Sequence, residues 1–233
     1  GGGPYWCGFF VQAPWRTYVN YNDPRLIEKY YSQMKEWFKY VDKYTVDGLL
    51  KRWPDTKYRD WYLGDWLAPM GVDAGNQASV DLVSNCFISE CLSTMYKTAI
   101  TLGKREEAEE FAIRREKLNK LIHQTFYRAD EGIYSTGSQL DMCYPMLVGV
   151  VPDSLYNKVK ENVVAMTEEK YKGHIAVGLV GVPILTEWAV RNKQVDFFYQ
   201  MMKKRDYPGY LYMIDHGATA TWEYWSGERS RVH

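Results

Sequence analysis

The sequence predicts an all-α fold built from antiparallel pairs of helices. Apolar residues recur every three or four positions over long stretches, and proline and glycine stand where helices would begin and end. Segments with the alternating pattern of β-strands are nearly absent. Short turns join the two helices of a pair, as in helical hairpins. No repeat of the ~34–47 residues typical of a helical solenoid is present.

The first predicted pair consists of helices over residues 6–18 and 23–48. Asp23 takes the N-cap position of the second helix and Pro24 its first position, a common way for a helix to begin. The apolar face of this helix is formed by Ile27, Tyr30, Met34, Trp37 and Val41.

The second predicted pair covers residues 77–102 and 104–126, with Gly103 at the turn. The runs KREEAEE and RREK in its second helix place opposite charges three and four residues apart, which indicates a face in contact with solvent. Further helices are predicted over residues 139–148, 154–166, 183–191 and 195–204, of which the last two form a third pair.

Three long connections, residues 51–76, 171–181 and 206–233, are rich in aromatic and acidic residues. Connections longer than ~12–15 residues in a compact domain are usually functional. If the helices close into a ring, we expect these connections to lie on one rim and to line one pocket.

Charge and composition narrow the class of ligand. The 233 residues carry 29 Lys and Arg against 29 Asp and Glu, so the excess of positive charge expected of a nucleic-acid-binding protein is absent. Aromatic residues make up 16%, a share that serves cores, interfaces or sugar-stacking sites. No apolar run approaches the ~20 residues of a membrane span. The composition therefore favours a neutral ligand and a soluble protein that binds neither nucleic acid nor membrane.

The four cysteines are predicted to be buried thiols. Their number is low for a disulfide scaffold in a chain of this length, and their spacing lacks the paired CxxC pattern of a zinc site. The residues are Cys7, Cys86, Cys91 and Cys143.

Carboxylates in the long connections are candidates for hydrolysis of a glycosidic bond, which typically needs two carboxyl groups. Glu223 is favoured because the flanking rings of Trp222 and Trp225 would restrict solvent and fix its rotamer; the alternative is an exposed acid beside core tryptophans. The full set is Asp55, Asp60, Asp65, Asp73, Asp215, Glu223 and Glu228.

Polar residues near the aromatic rings are candidates for binding hydroxyl groups. Asp65 stands between Gly64 and Trp66, and its alternative role is the N-cap of a following turn. His174 and His216 are next to glycines in the connections, and the alternative for each is simple exposure.

Three runs in the connections resemble the catalytic domain of bacterial α-L-rhamnosidases, glycoside hydrolase family 78. They are GDWLAP at 64–69, GHIAVGLVGVP at 173–183 and YPGYLYMIDHGATATWEYW at 207–225, in the family's order. The opening run GGGPYWCGFFVQAPWRTYVNYND resembles the family as well. The resemblance implies an (α/α)6 toroid of helical hairpins, incomplete in this chain, and hydrolysis of terminal α-L-rhamnosides with inversion.

The resemblance also implies roles for individual residues. Glu223 matches the general base, and no cofactor or metal is implied. The residues expected to bind a rhamnosylated glycoside or polysaccharide are Trp6, Asp65, Trp66, His174, Trp222, Trp225 and His233. His233 matches the histidine of a closing Asn-His segment, although Val232 replaces its asparagine.

One departure from the family concerns the general acid. The family carries it in an Asp-Cys-Pro-x-Arg-Glu stretch that precedes the first resembling run, and this stretch is absent. We therefore expect residues 1–233 to form one domain, the C-terminal larger part of a six-hairpin catalytic domain, with the acid outside the chain. The compartment is left open between the bacterial cytoplasm and periplasm.

Other functions remain open at this stage. A six-hairpin glycosidase for another sugar, as in glucosidases or trehalases, would use the same connections. An inactive carbohydrate-binding helical module would use the aromatic rings for contact alone, and Trp and Tyr also mark surfaces for protein partners.

Overall fold

The computed structural model describes residues 3–52, 62–70 and 76–227. The chain divides into two compact units, Gly1–Tyr62 with Ser84–Thr125 and Leu63–Val83 with Phe126–His233. The described residues are mostly helical, as predicted, with two small β-hairpins in addition. That all 233 residues act as one domain remains a prediction.

The first unit contains two helical pairs and one β-hairpin. Its elements are α1 (Pro4–Cys7), α2 (Phe9–Tyr21), α3 (Arg25–Asp42), β1 (Thr45–Val46), β2 (Leu49–Leu50), most of α4 (Gln77–Thr101) and most of α5 (Arg105–Phe126). Helix α2 packs against α3. Across α4 and α5, Ser89 donates a hydrogen bond to Asn119 at 2.6 Å. The predicted hairpins are therefore confirmed.

Helix α3 is shorter than predicted. It ends at Asp42, and residues 45–50 form an antiparallel hairpin in which Val46 pairs with Leu49. Asp47 and Gly48 make its turn, with φ of 52° and 82°. An Asp-Gly pair with positive φ at both positions favours a two-residue β-turn over continuation of a helix.

The boundary between the first two helices and the buried face of α3 also differ from the prediction. Gly8 separates α1 from α2 within the stretch predicted as one helix. The ring of Phe87 packs so close to Gly8 that a Cβ there would lie 2.3 Å from it. On α3, Tyr31 and Phe38 are buried, whereas the predicted Tyr30 and Trp37 are half-buried.

The second unit carries the remaining helices. After the first turns of α4 it contains β3 (Tyr127–Arg128), β4 (Ile133–Tyr134), α6 (Gln139–Leu147), α7 (Asp153–Glu169), α8 (Gly181–Arg191), α9 (Val195–Met202) and α10 (Tyr210–Asp215). Helix α6 packs against α7 and α8, and α8 packs against α9. The short helix α10 was not predicted, because six residues are too few to show a helical period.

The state of the cysteines and the character of the described helices bear on two further predictions. All four cysteines are free thiols, and Cys86, Cys91 and Cys143 are buried, whereas Cys7 is partly exposed. None of the described helices combines the length and apolar character needed to cross a bilayer.

Candidate active site

The candidate site lies in the second unit, where all three resembling runs meet. Its base is the turn at Gly64–Trp66, whose Asp65 is only 6% exposed. The Asp65 carboxylate accepts hydrogen bonds from the backbone N–H groups of Gly178 at 2.8 Å, Val180 at 3.2 Å and Gly181 at 2.9 Å. The first run is thereby fixed to the second at the start of α8.

Two glycines of the second run allow this close approach. A Cβ on Gly178 would lie 2.0 Å from the carbonyl oxygen of Trp66. A Cβ on Gly181 would lie 2.8 Å from Oδ2 of Asp65 and 2.4 Å from Cβ of Val177. Both positions therefore require glycine because the turn that carries Asp65 packs directly on their backbone.

The environment of Asp65 opposes its negative charge. Burial raises the pKa of Asp65 to about 6, while the three backbone N–H groups lower it and the nearby Asp141 raises it. The carboxylate also lies at the N-terminus of α8, where a helix favours negative charge. Asp65 therefore does cap a helix, but the helix is 116 residues away in the sequence rather than next to it.

Trp66 joins the turn to the third run. Its backbone oxygen accepts the N–H of Leu179 at 2.8 Å, and its indole Nε1 donates to Oε1 of Glu223 at 3.3 Å. Glu223 is half-buried. The favoured carboxylate thus lies beside the Gly64–Trp66 turn and is half-buried rather than exposed, and its catalytic role remains a prediction.

The two tryptophans that flank Glu223 differ in their surroundings. Trp225 is 6% exposed, donates from Nε1 to the carbonyl oxygen of Val177 at 3.1 Å and packs against Tyr210. Trp222 is half-buried and lies over Gly227. The structure gives Trp225 a packing role, and contact of either ring with a substrate remains a prediction.

Gln139, at the start of α6, was missed by the sequence analysis. Its side chain is buried and donates to the carbonyl oxygen of His174 at 3.0 Å and to Oγ1 of Thr167 at 2.9 Å. Its Oε1 accepts the N–H of Ala176 at 2.8 Å. Gln139, Asp65, Trp66 and Trp225 together bond five backbone N–H groups and two carbonyl oxygens of residues 174–181.

Asp141 was missed as well. It is fully buried and accepts hydrogen bonds from Ser79 Oγ at 2.7 Å and Thr136 Oγ1 at 2.5 Å. Burial raises the pKa of Asp141. The signal available in the sequence was the pair of polar residues, Gln139 and Asp141, inside the apolar run that forms α6.

The histidines are bound by protein groups. His174 is 5% exposed, and its Nδ1 and Nε2 contact the oxygen of Pro208 at 2.7 Å and Oδ2 of Asp206 at 3.1 Å. His174 therefore holds residues 206–208 in this structure, and its contact with a sugar remains a prediction. His216 is exposed, with Nδ1 2.8 Å from the oxygen of Tyr212.

The other candidates are an ion-paired aspartate, a tryptophan of the first unit and residues outside the described ranges. Asp215 forms a surface ion pair with Arg205 at 2.6 Å. Trp6 belongs to the first unit and lines an open cavity of about 460 Å³ together with Phe10, Leu26 and Tyr30. Outside the described residues lie Asp55, Asp60, Asp73, Glu228 and His233. In the described ranges no group of three His, Cys, Asp or Glu side chains could hold a metal ion.

Sequence comparison identifies the family. The profile described as the bacterial alpha-L-rhamnosidase 6 hairpin glycosidase domain matches residues 1–233. The chain belongs to this family. The resemblance found in the three runs is thereby confirmed.

Curated relatives carry the same name. The chain is 26% identical over 228 residues to the alpha-L-rhamnosidase of Alteromonas sp. (strain LOR). This match covers 95% of this chain and 24% of that protein. It is also 26% identical over 220 residues to the alpha-L-rhamnosidase of Streptomyces avermitilis. That match covers 94% of this chain and 20% of the Streptomyces protein. The chain thus spans about a quarter or less of the length of these rhamnosidases.

Solved structures of rhamnosidases share the fold. The alpha-L-rhamnosidase of Dictyoglumus thermophilum matches 97% of this chain and 25% of its own with a TM-score of 0.86 at 22% identity. The Streptomyces avermitilis alpha-L-rhamnosidase complexed with L-rhamnose matches 94% of this chain and 20% of its own with a TM-score of 0.81, also at 22% identity. The predicted all-α, six-hairpin fold class is confirmed.

Proposed function

We propose that the full-length protein hydrolyses terminal α-L-rhamnosides with inversion, and that Glu223 is its general base. The observation that carries this proposal is the hydrogen bond between Trp66 and Glu223, 3.3 Å long, at the point where the family's three runs meet. The family assignment and the names of the curated relatives support the choice of sugar.

Inverting hydrolysis of a glycosidic bond requires a general base. In an inverting glycosidase the carboxylate takes a proton from water while the water attacks the anomeric carbon on the face opposite the leaving group. A second carboxyl group, ~6.5–9.5 Å away, protonates the leaving oxygen. The general acid is proposed to lie outside this chain.

Sugar recognition is proposed to involve the aromatic rings near Glu223. Trp66 and Trp222 are both half-buried, so each combines a fixed ring with an accessible part that can contact a sugar. Trp6, His174 and His233 are further proposed contacts, and the substrate is a rhamnosylated glycoside or polysaccharide. Trp225 is proposed to support the site from the buried side.

The stereochemistry of the product tests this proposal. An aryl α-L-rhamnoside is incubated with the full-length protein, and proton NMR follows the anomeric signal before mutarotation. First release of β-L-rhamnose supports the proposal, and first release of the α-anomer contradicts inversion. A panel of other aryl glycosides tests the sugar, because faster hydrolysis of a glucoside would contradict the choice of rhamnose.

A further inference from the structure

The hydrogen bond between Trp66 and Glu223 has a defined direction. An indole nitrogen only donates a hydrogen bond, so the contact at 3.3 Å runs from Nε1 of Trp66 to Oε1 of Glu223. Such a bond to an ionised acceptor is stronger than one between neutral groups. The side chain of Trp66 therefore interacts best with the ionised form of Glu223, which is the form that a general base needs.

The position of Trp66 is set by the protein. Its carbonyl oxygen accepts the N–H of Leu179 at 2.8 Å, and the next residue back, Asp65, accepts three backbone N–H groups. Gly178 packs against the same carbonyl oxygen without room for a Cβ. The indole is thus held from its backbone before any substrate binds.

The segment that carries Glu223 is tied to the same backbone. Two residues after Glu223, Trp225 donates from Nε1 to the carbonyl oxygen of Val177 at 3.1 Å. The backbone of Trp66 and the segment that carries Glu223 are therefore both bonded to residues 177–179, close to the start of α8. A carboxylate held at one oxygen by a donor on a rigid frame loses most of its freedom to rotate.

We propose that Trp66 is a positioning residue for Glu223, which holds the carboxylate through its indole N–H in the orientation that activates water. This inference rests on the proposed function of Glu223 as the general base. It assigns to Trp66 a role separate from any contact between its ring and the sugar.

The variant Trp66→Phe separates the two roles, because phenylalanine keeps a flat ring for the sugar and lacks the N–H. In the full-length protein acting on an aryl α-L-rhamnoside, kcat is expected to fall about 10-fold or more, whereas KM changes less than 3-fold. A sugar platform alone would raise KM and leave kcat unchanged, which would overturn the proposal.

Trp188→Phe is the matched control. Trp188 is fully buried on α8, and its Nε1 donates to Sδ of Met146 at 3.1 Å, so the substitution removes a buried indole N–H away from Glu223. The control is expected to lower the unfolding temperature and to keep kcat within about 3-fold of the wild type at a temperature where both proteins are folded. A loss of kcat in Trp188→Phe as large as that in Trp66→Phe would show that the effect is a general loss of packing, and would contradict the proposal.

A spectroscopic measurement does not depend on turnover or on the folding of Trp66→Phe. In protein labelled with ¹⁵N-tryptophan, one indole N–H resonance of the wild type is expected to change position in Glu223→Ala, because that N–H has lost its acceptor. The absence of any indole resonance whose position depends on Glu223 would overturn the proposal. Full activity of Glu223→Gln would instead contradict the proposed function, so the two failures are distinguishable.

Discussion

Asp65 accepts the backbone N–H of Gly181 at 2.9 Å, and this contact joins the turn before Trp66 to the first residue of α8. A buried carboxylate at a helix N-terminus is stabilised by the unpaired N–H groups and by the helix dipole. In this protein the carboxylate also fixes the backbone of the tryptophan that contacts Glu223. The candidate site is therefore built on a buried carboxylate whose oxygens accept hydrogen bonds from the backbone.

Substitution of Gly178 by alanine is expected to displace the Gly64–Trp66 turn. The new Cβ would lie 2.0 Å from the carbonyl oxygen of Trp66, and backbone cannot move aside as a flexible side chain does. We expect Gly178→Ala to lose about 1–3 kcal/mol of unfolding free energy and most of its kcat. Urea unfolding and rhamnoside hydrolysis by the full-length protein measure the two effects.

Gly217→Ala provides the control for this prediction. No atom of the described residues lies within 4 Å of a Cβ at Gly217, although its φ of 87° makes alanine unfavourable there. Gly217→Ala should lose about 1–2 kcal/mol through backbone strain alone and keep its kcat. Equal retention of kcat in both variants would show that Trp66 does not need the close approach at Gly178.

Gln139 is expected to be important for stability although it was not found from the sequence. Gln139→Leu would leave the carbonyl of His174 and the N–H of Ala176 buried without their partner. Each such group costs about 1–3 kcal/mol, so the loss of unfolding free energy should exceed that of a surface substitution. Gln200→Leu on the exposed side of α9 is the control, and it should change stability by about 0.5 kcal/mol or less. Similar stabilities of the two variants would disprove the role of Gln139.

Asp65 is expected to make stability depend on pH. Its pKa rises from 3.8 to about 6 in the folded protein, so the folded state binds the proton more tightly than the unfolded state. The stabilising contribution of this group is therefore complete below its unfolded pKa and is lost as the pH rises through about 6. A shift of about 2 units corresponds to about 3 kcal/mol.

Asp65→Asn removes this titration. Between about pH 4 and about pH 7 the wild type should lose about 3 kcal/mol of unfolding free energy relative to the variant, whatever the offset between them. Urea unfolding at a series of pH values measures the difference. A difference that stays constant over this range would show that Asp65 titrates at its ordinary pH in the folded protein.

The helices could be predicted from the sequence because their pattern is local. Apolar spacing, Gly103 and the charged runs give the bounds of α4 and α5 to within one residue. The hairpin at Asp47–Gly48 was missed because the apolar spacing of α3 appeared to continue past Asp42. Two turn residues with positive φ decide against that continuation.

The candidate site could be predicted only in part, because its contacts span more than a hundred residues. The separation of Trp66 and Glu223 is 157 residues, and no local period reports such a contact. The aromatic and acidic character of the long connections pointed to Glu223 and to the Gly64–Trp66 turn, and the resemblance to a family gave them roles. Gln139 was not predicted because it bonds backbone groups of residues 174–176. Which backbone groups need a side-chain partner depends on the folded path of that segment, and the sequence does not show this path.

The most direct test of this account is the activity of Glu223→Gln in the full-length protein on an aryl α-L-rhamnoside. The substitution keeps the size of the side chain and removes the base, so kcat should fall by about 10²–10⁴-fold with an unchanged unfolding temperature. Glu187→Gln is the matched control, because Glu187 lies on the surface of α8 in an ion pair with Arg191, and it should keep the wild-type kcat. A kcat of Glu223→Gln within a few-fold of the wild type would contradict the assignment of Glu223 as the general base.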